Sequence, residues 1–192
     1  MIDSILAGYN LSAGKKIGVK TAISVGIIAL AVLLPQVIHF ISGAPGGVEW
    51  LPMYLPVLLG GCVLGYKWGL GIGILSPLVS FLITSLTGNA MPAAARLPFM
   101  IVELAVFASV SGLFSKSIAK NGWMAFPAVL LAQVSGRMVF LALVAIFQNI
   151  TPFTFDMIWA QVKTGLLGMV VQAVFVPFIV MLFTLLIKKD RE

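Results

Sequence analysis

Three charged side chains, Glu103, Arg137 and Lys163, interrupt stretches of sequence that are otherwise almost wholly apolar. Such residues are rare inside membrane spans because a buried charge is expensive, about 2.5–3.5 kcal/mol at a helix centre even on a lenient insertion scale. They usually face a bundle interior or a water-filled cavity. Gln133 stands one helical turn before Arg137, and Trp159 one turn before Lys163. Arg96 precedes Glu103 by seven residues, which puts both on one helical face. Two arrangements satisfy these groups. One is a polar pocket open to the outer side, shaped by the last three spans and roofed by the outer loops. The other is an internal ion pair, Glu103 with Arg137, that fastens two helices. A bridge alone leaves Gln133, Lys163 and Arg96 unexplained at similar depth, so the pocket is the expectation. Lys163 also has the option of extending its long stem to the interface.

The loops between spans add polar and aromatic groups. "SGAPGGVEW" carries Glu49 and Trp50, with Tyr54 just beyond, and "TGNAMPAAAR" carries Asn89 and Arg96. "QNITPFTFD" adds Asn149, Thr151 and Asp156. The aromatic residues Trp50, Tyr54 and Trp159 also suit an interfacial belt without any ligand. No catalytic set accompanies them. The one histidine, His39, has no serine partner in a nucleophilic arrangement. No His, Cys, Asp or Glu residues fall at metal-ligand spacing, and no Walker lysine motif is present. Neither a metal nor a cofactor is expected. Binding and transport remain.

These residues must be positioned by helices in lipid. The chain has 192 residues, 60% of them hydrophobic and 9% charged. A soluble domain carries about 25% charged residues, because its surface faces water. The net charge of +6 needs no nucleic acid, since membrane topology supplies a reason for it. The expected fold is an all-α integral membrane protein, a single bundle of six helices over residues 19–41, 52–65, 68–86, 97–114, 123–147 and 157–187. The last run exceeds a bilayer thickness and must tilt or leave the membrane. Ahead of them, "MIDSILAGYNLSAGKK" lacks the pattern of a cleavable signal peptide and reads as a short amphipathic helix or an irregular tail. Lys15, Lys16, Lys20, Lys67, Lys116, Lys120, Lys188, Lys189 and Arg191 then all fall on one side, which predicts cytoplasmic termini.

The split at Lys67 lies within "GGCVLGYKWGLGIG", where Gly61, Gly65, Gly69 and Gly73 recur every fourth residue. No strand precedes it, and the glycines lack dinucleotide spacing, so a phosphate cradle is not expected. The stretch reads as a tight cytoplasmic hairpin whose glycines close-pack helix ends. Cys62, the single cysteine, reads as a small packing residue.

The sequence "LPMYLPVLLGGCVLGYKWGLGIGILSPLVSFLITS", followed by a proline-containing loop and "ELAVFASVSGLF", resembles the substrate-binding S components of energy-coupling factor (ECF) vitamin transporters. The motif-level resemblance covers residues 51–114 and includes the turn Gly65-Tyr66-Lys67-Trp68-Gly69. It implies a six-helix carrier in a prokaryotic plasma membrane that captures a vitamin from outside. Such a carrier then joins a transmembrane coupling subunit and two ATPases, and topples in the membrane to release its cargo. The coupling subunit would recognise small residues on the first helix, here Ala22, Gly26 and Ala29, with glycine where an alanine is usual. Small residues at this spacing also serve ordinary helix packing. The balance of Arg96, Arg137 and Lys163 against Glu103 favours a ligand with a carboxylate or phosphate. Pantothenate-like and folate-like acids fit that description; cobalamin, pyridoxine-type and queuosine-precursor cargoes stay open. Two other classes are an autonomous small transporter or channel, and a membrane enzyme with Glu103 as its acid.

Overall fold

A computed structural model describes residues 1–7, 12–88, 90–149 and 153–189. Nine helices run in chain order among these: α1 Ile2–Ala7, α2 Ala13–Trp50, α3 Tyr54–Leu64, α4 Tyr66–Leu86, α5 Leu97–Leu113, α6 Ser115–Lys120, α7 Ala125–Phe147, α8 Phe155–Thr164 and α9 Leu166–Lys189. No strand occurs among the described residues. Among the described residues, five stretches are long and apolar enough to cross a membrane: Ala13–Gly43, Gly46–Leu64, Tyr66–Leu86, Gly122–Phe147 and Leu166–Leu185. Helix α5 is apolar too but has only 17 residues.

The core is apolar, with Leu58, Leu104, Phe107 and Phe140 buried in it, but the outer surface is apolar as well, unlike that of a water-soluble bundle. The buried residues of α4 are Gly69, Ile72, Gly73, Ser76, Pro77, Ser80 and Thr84. Its outward side chains are large and apolar, among them Leu70, Leu75, Leu82, Ile83 and Leu86. Helix α7 repeats the pattern, with Ala128, Ala132, Gln133 and Gly136 inside and Leu130, Leu131, Val134 and Met138 outside. In water such a surface would aggregate. In lipid, close backbone packing through small residues holds the helices together, and large apolar side chains face the acyl chains. The surface of this protein therefore fits a bilayer.

Helix α5 is the centre, packed against α3, α4 and α7. Glycines on α3 and α4 converge on its backbone. A methyl group added at Gly69 would stand 2.7 Å from the Ala108 carbonyl oxygen, and one at Gly61 would strike the same carbonyl. The expected close-packing hairpin is thus present, but it breaks at Gly65 rather than at Lys67. Gly65 has φ 88° and ψ 173°, a conformation open essentially to glycine alone. Lys67 lies in the first turn of α4. Cys62 is fully buried.

Two further boundaries differ from expectation. Residues 42–50 were expected to be a loop, yet α2 continues through them after a kink at Gly43 (φ 68°) and ends only at Leu51 (φ 48°). One glycine absorbs the bend, so the helix resumes instead of stopping. The expected single span over 157–187 is two helices meeting at Gly165. A side chain at Gly165 would crowd Leu51 and the Val48 carbonyl, so a glycine there lets α2 and the α8–α9 bend approach closely. That bend resolves the excess length. The N-terminal stretch forms the short helix α1, whose Leu6 is buried and whose Asp3 pairs with Lys20.

Candidate functional site

Glu103 is in the middle of α5 with no solvent exposure. Its carboxylate has two partners from two other helices. The Tyr54 hydroxyl, from the first turn of α3, donates to Oε2 at 2.6 Å. The Arg137 guanidinium, from α7, approaches Oε1 with Nη1 at 2.8 Å. The same guanidinium lies 5.2 Å from the centre of the Tyr54 ring, within cation–π range. Phe107, one turn along α5, meets the Tyr54 ring edge-on at 5.1 Å. One turn before Arg137, Gln133 donates to the Met169 carbonyl of α9 at 3.0 Å. Arg137 Nε points to the Met169 sulfur at 3.4 Å, while Nη2 is buried with no protein partner. A polar seam thus joins α3, α5, α7 and α9 across an apolar interior.

This is the ion-pair arrangement of the two weighed from the sequence. Glu103 and Arg137 form an ion pair and Gln133 bonds the α9 backbone, while Glu103 Oε1 and Arg137 Nη2 have no hydrogen-bond partner among the described residues; none of the three lines the adjacent cavity. A buried pair of this kind gains from its geometry, and loss of one partner strands the other in low dielectric.

In front of Tyr54 is a cavity of about 260 Å³. Its walls are chiefly apolar, with Pro35, Val48, Leu51 and Met53 on one side and Pro92 and Met100 on the other. Four polar side chains reach it: Tyr54, Ser80, Arg96 and Gln161. One wall is the segment 91–96, which includes a cis Met91–Pro92 peptide. This segment is tied to the end of α4. The Met91 N–H donates to Thr84 Oγ1 at 2.7 Å, and Ser80 Oγ donates to the Met91 carbonyl at 2.9 Å. Arg96 caps the start of α5, half-buried, with its guanidinium 5.9 Å from the Phe140 ring. Among the described residues no carboxylate pairs with it. An apolar recess with a few convergent polar groups and an uncommitted cation is the usual form of a small-molecule site.

The structure therefore brings together two of the ten expected contact residues, Tyr54 and Arg96, at this cavity. Glu49 and Trp50 end α2 beside it, but their carbonyls face α9. A methyl group at Gly168 would meet both, and Gln172 donates to the Trp50 and Leu51 carbonyls at 3.0 and 2.9 Å. Trp159 and Lys163 are exposed on α8, with the ammonium 5.8 Å from the indole. They were expected inside the last span; the bend at Gly165 places them on a separate amphipathic helix, with Gln161 facing the cavity instead. Asn89 lies outside the described residues. Ala22, Gly26 and Ala29 are all exposed on α2, and nothing lies within 4 Å of a methyl group added at Gly26. Ser80 and Gln172 are uncharged residues within apolar runs, and Gln161 is an uncharged residue between Trp159 and Lys163, so none of the three carries a charge signal of its own.

No family model, no curated protein and no solved structure matches this chain.

Proposed function

We propose that this protein is the substrate-binding S component of an ECF-type vitamin transporter, holding a small water-soluble vitamin or related micronutrient in the cavity beside Tyr54 and Arg96. In this reading α5 is a sixth, short span, and both termini are cytoplasmic in a prokaryotic plasma membrane. Seventeen helical residues extend about 25 Å, the lower limit for crossing a hydrocarbon core. The observation that carries the reading is a recess at one end of the bundle with an uncommitted arginine, Arg96, in its wall. Lys20, Lys67, Lys116 and Lys120 gather at the other end, against Lys163 alone on α8, whose Gln161 lines the recess. The recess is bounded by the start of α3, the end of α4 and the start of α5, whereas Lys67, Lys116 and Lys120 belong to the reverse ends of that hairpin stack. By the positive-inside rule the recess then opens outward. Arg96 suits a carboxylate or phosphate on the ligand, and the apolar walls suit its carbon frame. The exposed small-residue face of Ala22, Gly26 and Ala29 offers a second helix close approach, as a coupling subunit would need.

Reconstitution tests the reading. The isolated protein in liposomes is expected to bind its ligand without accumulating it, and uptake is expected only with the coupling subunit, two ATPases and ATP. Accumulation by the isolated protein without ATP would make it an autonomous transporter instead.

A further inference from the structure

The lysine-rich end of the bundle holds a second and larger cavity, of about 730 Å³, which the vitamin reading does not use. Among the described residues four lysines line it, Lys20, Lys67, Lys116 and Lys120, against a single acid, Asp3. Asp3 is paired with Lys20. Lys67 and Lys116 are exposed and have no carboxylate partner among the described residues. The first turn of α4 also lines the cavity, so the positive end of a 21-residue helix dipole adds to the lysines. The wall is not wholly polar. Leu113 lines it while 65% exposed, as does the half-buried Trp68. A water-filled anion site has no use for an exposed leucine. At the end of a membrane-embedded helix, the combination of ammonium groups, an aromatic ring and an outward leucine marks the boundary between headgroups and acyl chains.

We propose that this cavity holds the phosphate of an anionic phospholipid, with Lys67 and Lys116 as its direct partners and Leu113 against the start of an acyl chain. The proposal rests on the membrane placement of the helices and not on the identity of any vitamin. A lipid seated there bridges the α3–α4 hairpin and α6, locking the lysine-rich face at the level of the headgroups. Basic recesses at helix ends are a general mode of anionic lipid recognition.

The test is native mass spectrometry of the protein in neutral detergent, titrated separately with phosphatidylglycerol, phosphatidylcholine and inorganic phosphate. Wild type is expected to retain phosphatidylglycerol in preference to phosphatidylcholine, and excess inorganic phosphate is expected not to displace it. The double variant Lys67→Gln/Lys116→Gln is expected to weaken that retention roughly tenfold or more, as loss of charged contacts should. Lys15→Gln/Lys16→Gln removes the same charge outside the cavity and is expected to change retention less than about twofold. Equal loss in both double variants would mean a diffuse field and would overturn the site, as would retention indifferent to headgroup. Displacement by inorganic phosphate would overturn the lipid in favour of a free anion. If the cavity double variant does not stay monodisperse, Lys116→Gln alone serves; unchanged phosphatidylglycerol retention in it overturns the proposal.

Discussion

At the scale of single residues, the organising feature is a carboxylate that spends its two oxygens on two different helices. Glu103 receives the Tyr54 hydroxyl on one oxygen and faces Arg137 on the other. Arg137→Ala is expected to lower unfolding stability in detergent by about 3–5 kcal/mol, because it leaves Glu103 buried without its cation. The double variant Glu103→Gln/Arg137→Met is expected to recover most of that loss, since it removes both charges and leaves the Tyr54 hydroxyl an amide acceptor. Thermal unfolding of the double variant and of the two single substitutions that compose it measures this as a coupling energy. A double variant as unstable as the sum of its singles would show that the pair does not act as a unit. The presence of both charges was legible in the sequence, because nothing else explains ionisable residues in apolar runs. Their pairing was legible as one of two arrangements, but the choice between it and an open pocket was not. Pairing depends on the helical rotation and depth of α5 and α7, which periodicity cannot resolve when nearly every position is apolar.

At the scale of elements, glycine decides both the joints and the contacts. Gly43, Gly65 and Gly165 mark a kink, a hairpin and a bend, and each moves a boundary away from where hydropathy alone puts it. Lys67 signals that a break is near, but only the backbone freedom of Gly65 fixes it there. The glycines at Gly61 and Gly69 let two helices reach one carbonyl of α5. Gly69→Val is therefore expected to destabilise the bundle by at least about 1–3 kcal/mol through overpacking against Ala108. Gly71→Ala is the matched control on the open side of α4, where nothing lies within 4 Å of an added methyl group. It is expected to be neutral or to stabilise by up to about 1 kcal/mol, since alanine favours helix. Parallel thermal melts of the two variants distinguish these outcomes. The sequence showed that the C-terminal run is too long for one upright span and must tilt or leave the membrane, but not that it would bend at Gly165 and carry Lys163 and Trp159 away from the cavity.

At the scale of the whole molecule, two cavities lie at opposite ends of one helix stack, one with a lone arginine and one with four lysines. The small residues Ala22, Gly26 and Ala29 are exposed in the first half of α2, the face proposed above for a coupling subunit. Gly26→Leu is expected to leave ligand binding and stability unchanged, because the added side chain meets nothing within the chain. It is expected to block co-purification of the coupling subunit; undiminished assembly would move the partner surface elsewhere. The most direct measurement is of the ligand itself. Protein purified natively from its membrane, in wild-type, Arg96→Gln and Lys163→Gln forms, is extracted, and the bound small molecule is identified by mass spectrometry. A single vitamin-like molecule bearing a carboxylate or phosphate is expected with wild type and Lys163→Gln, and roughly tenfold less of it with Arg96→Gln at equal protein. Equal amounts in all three forms, or no small molecule in any of them, would contradict binding at the Tyr54–Arg96 cavity.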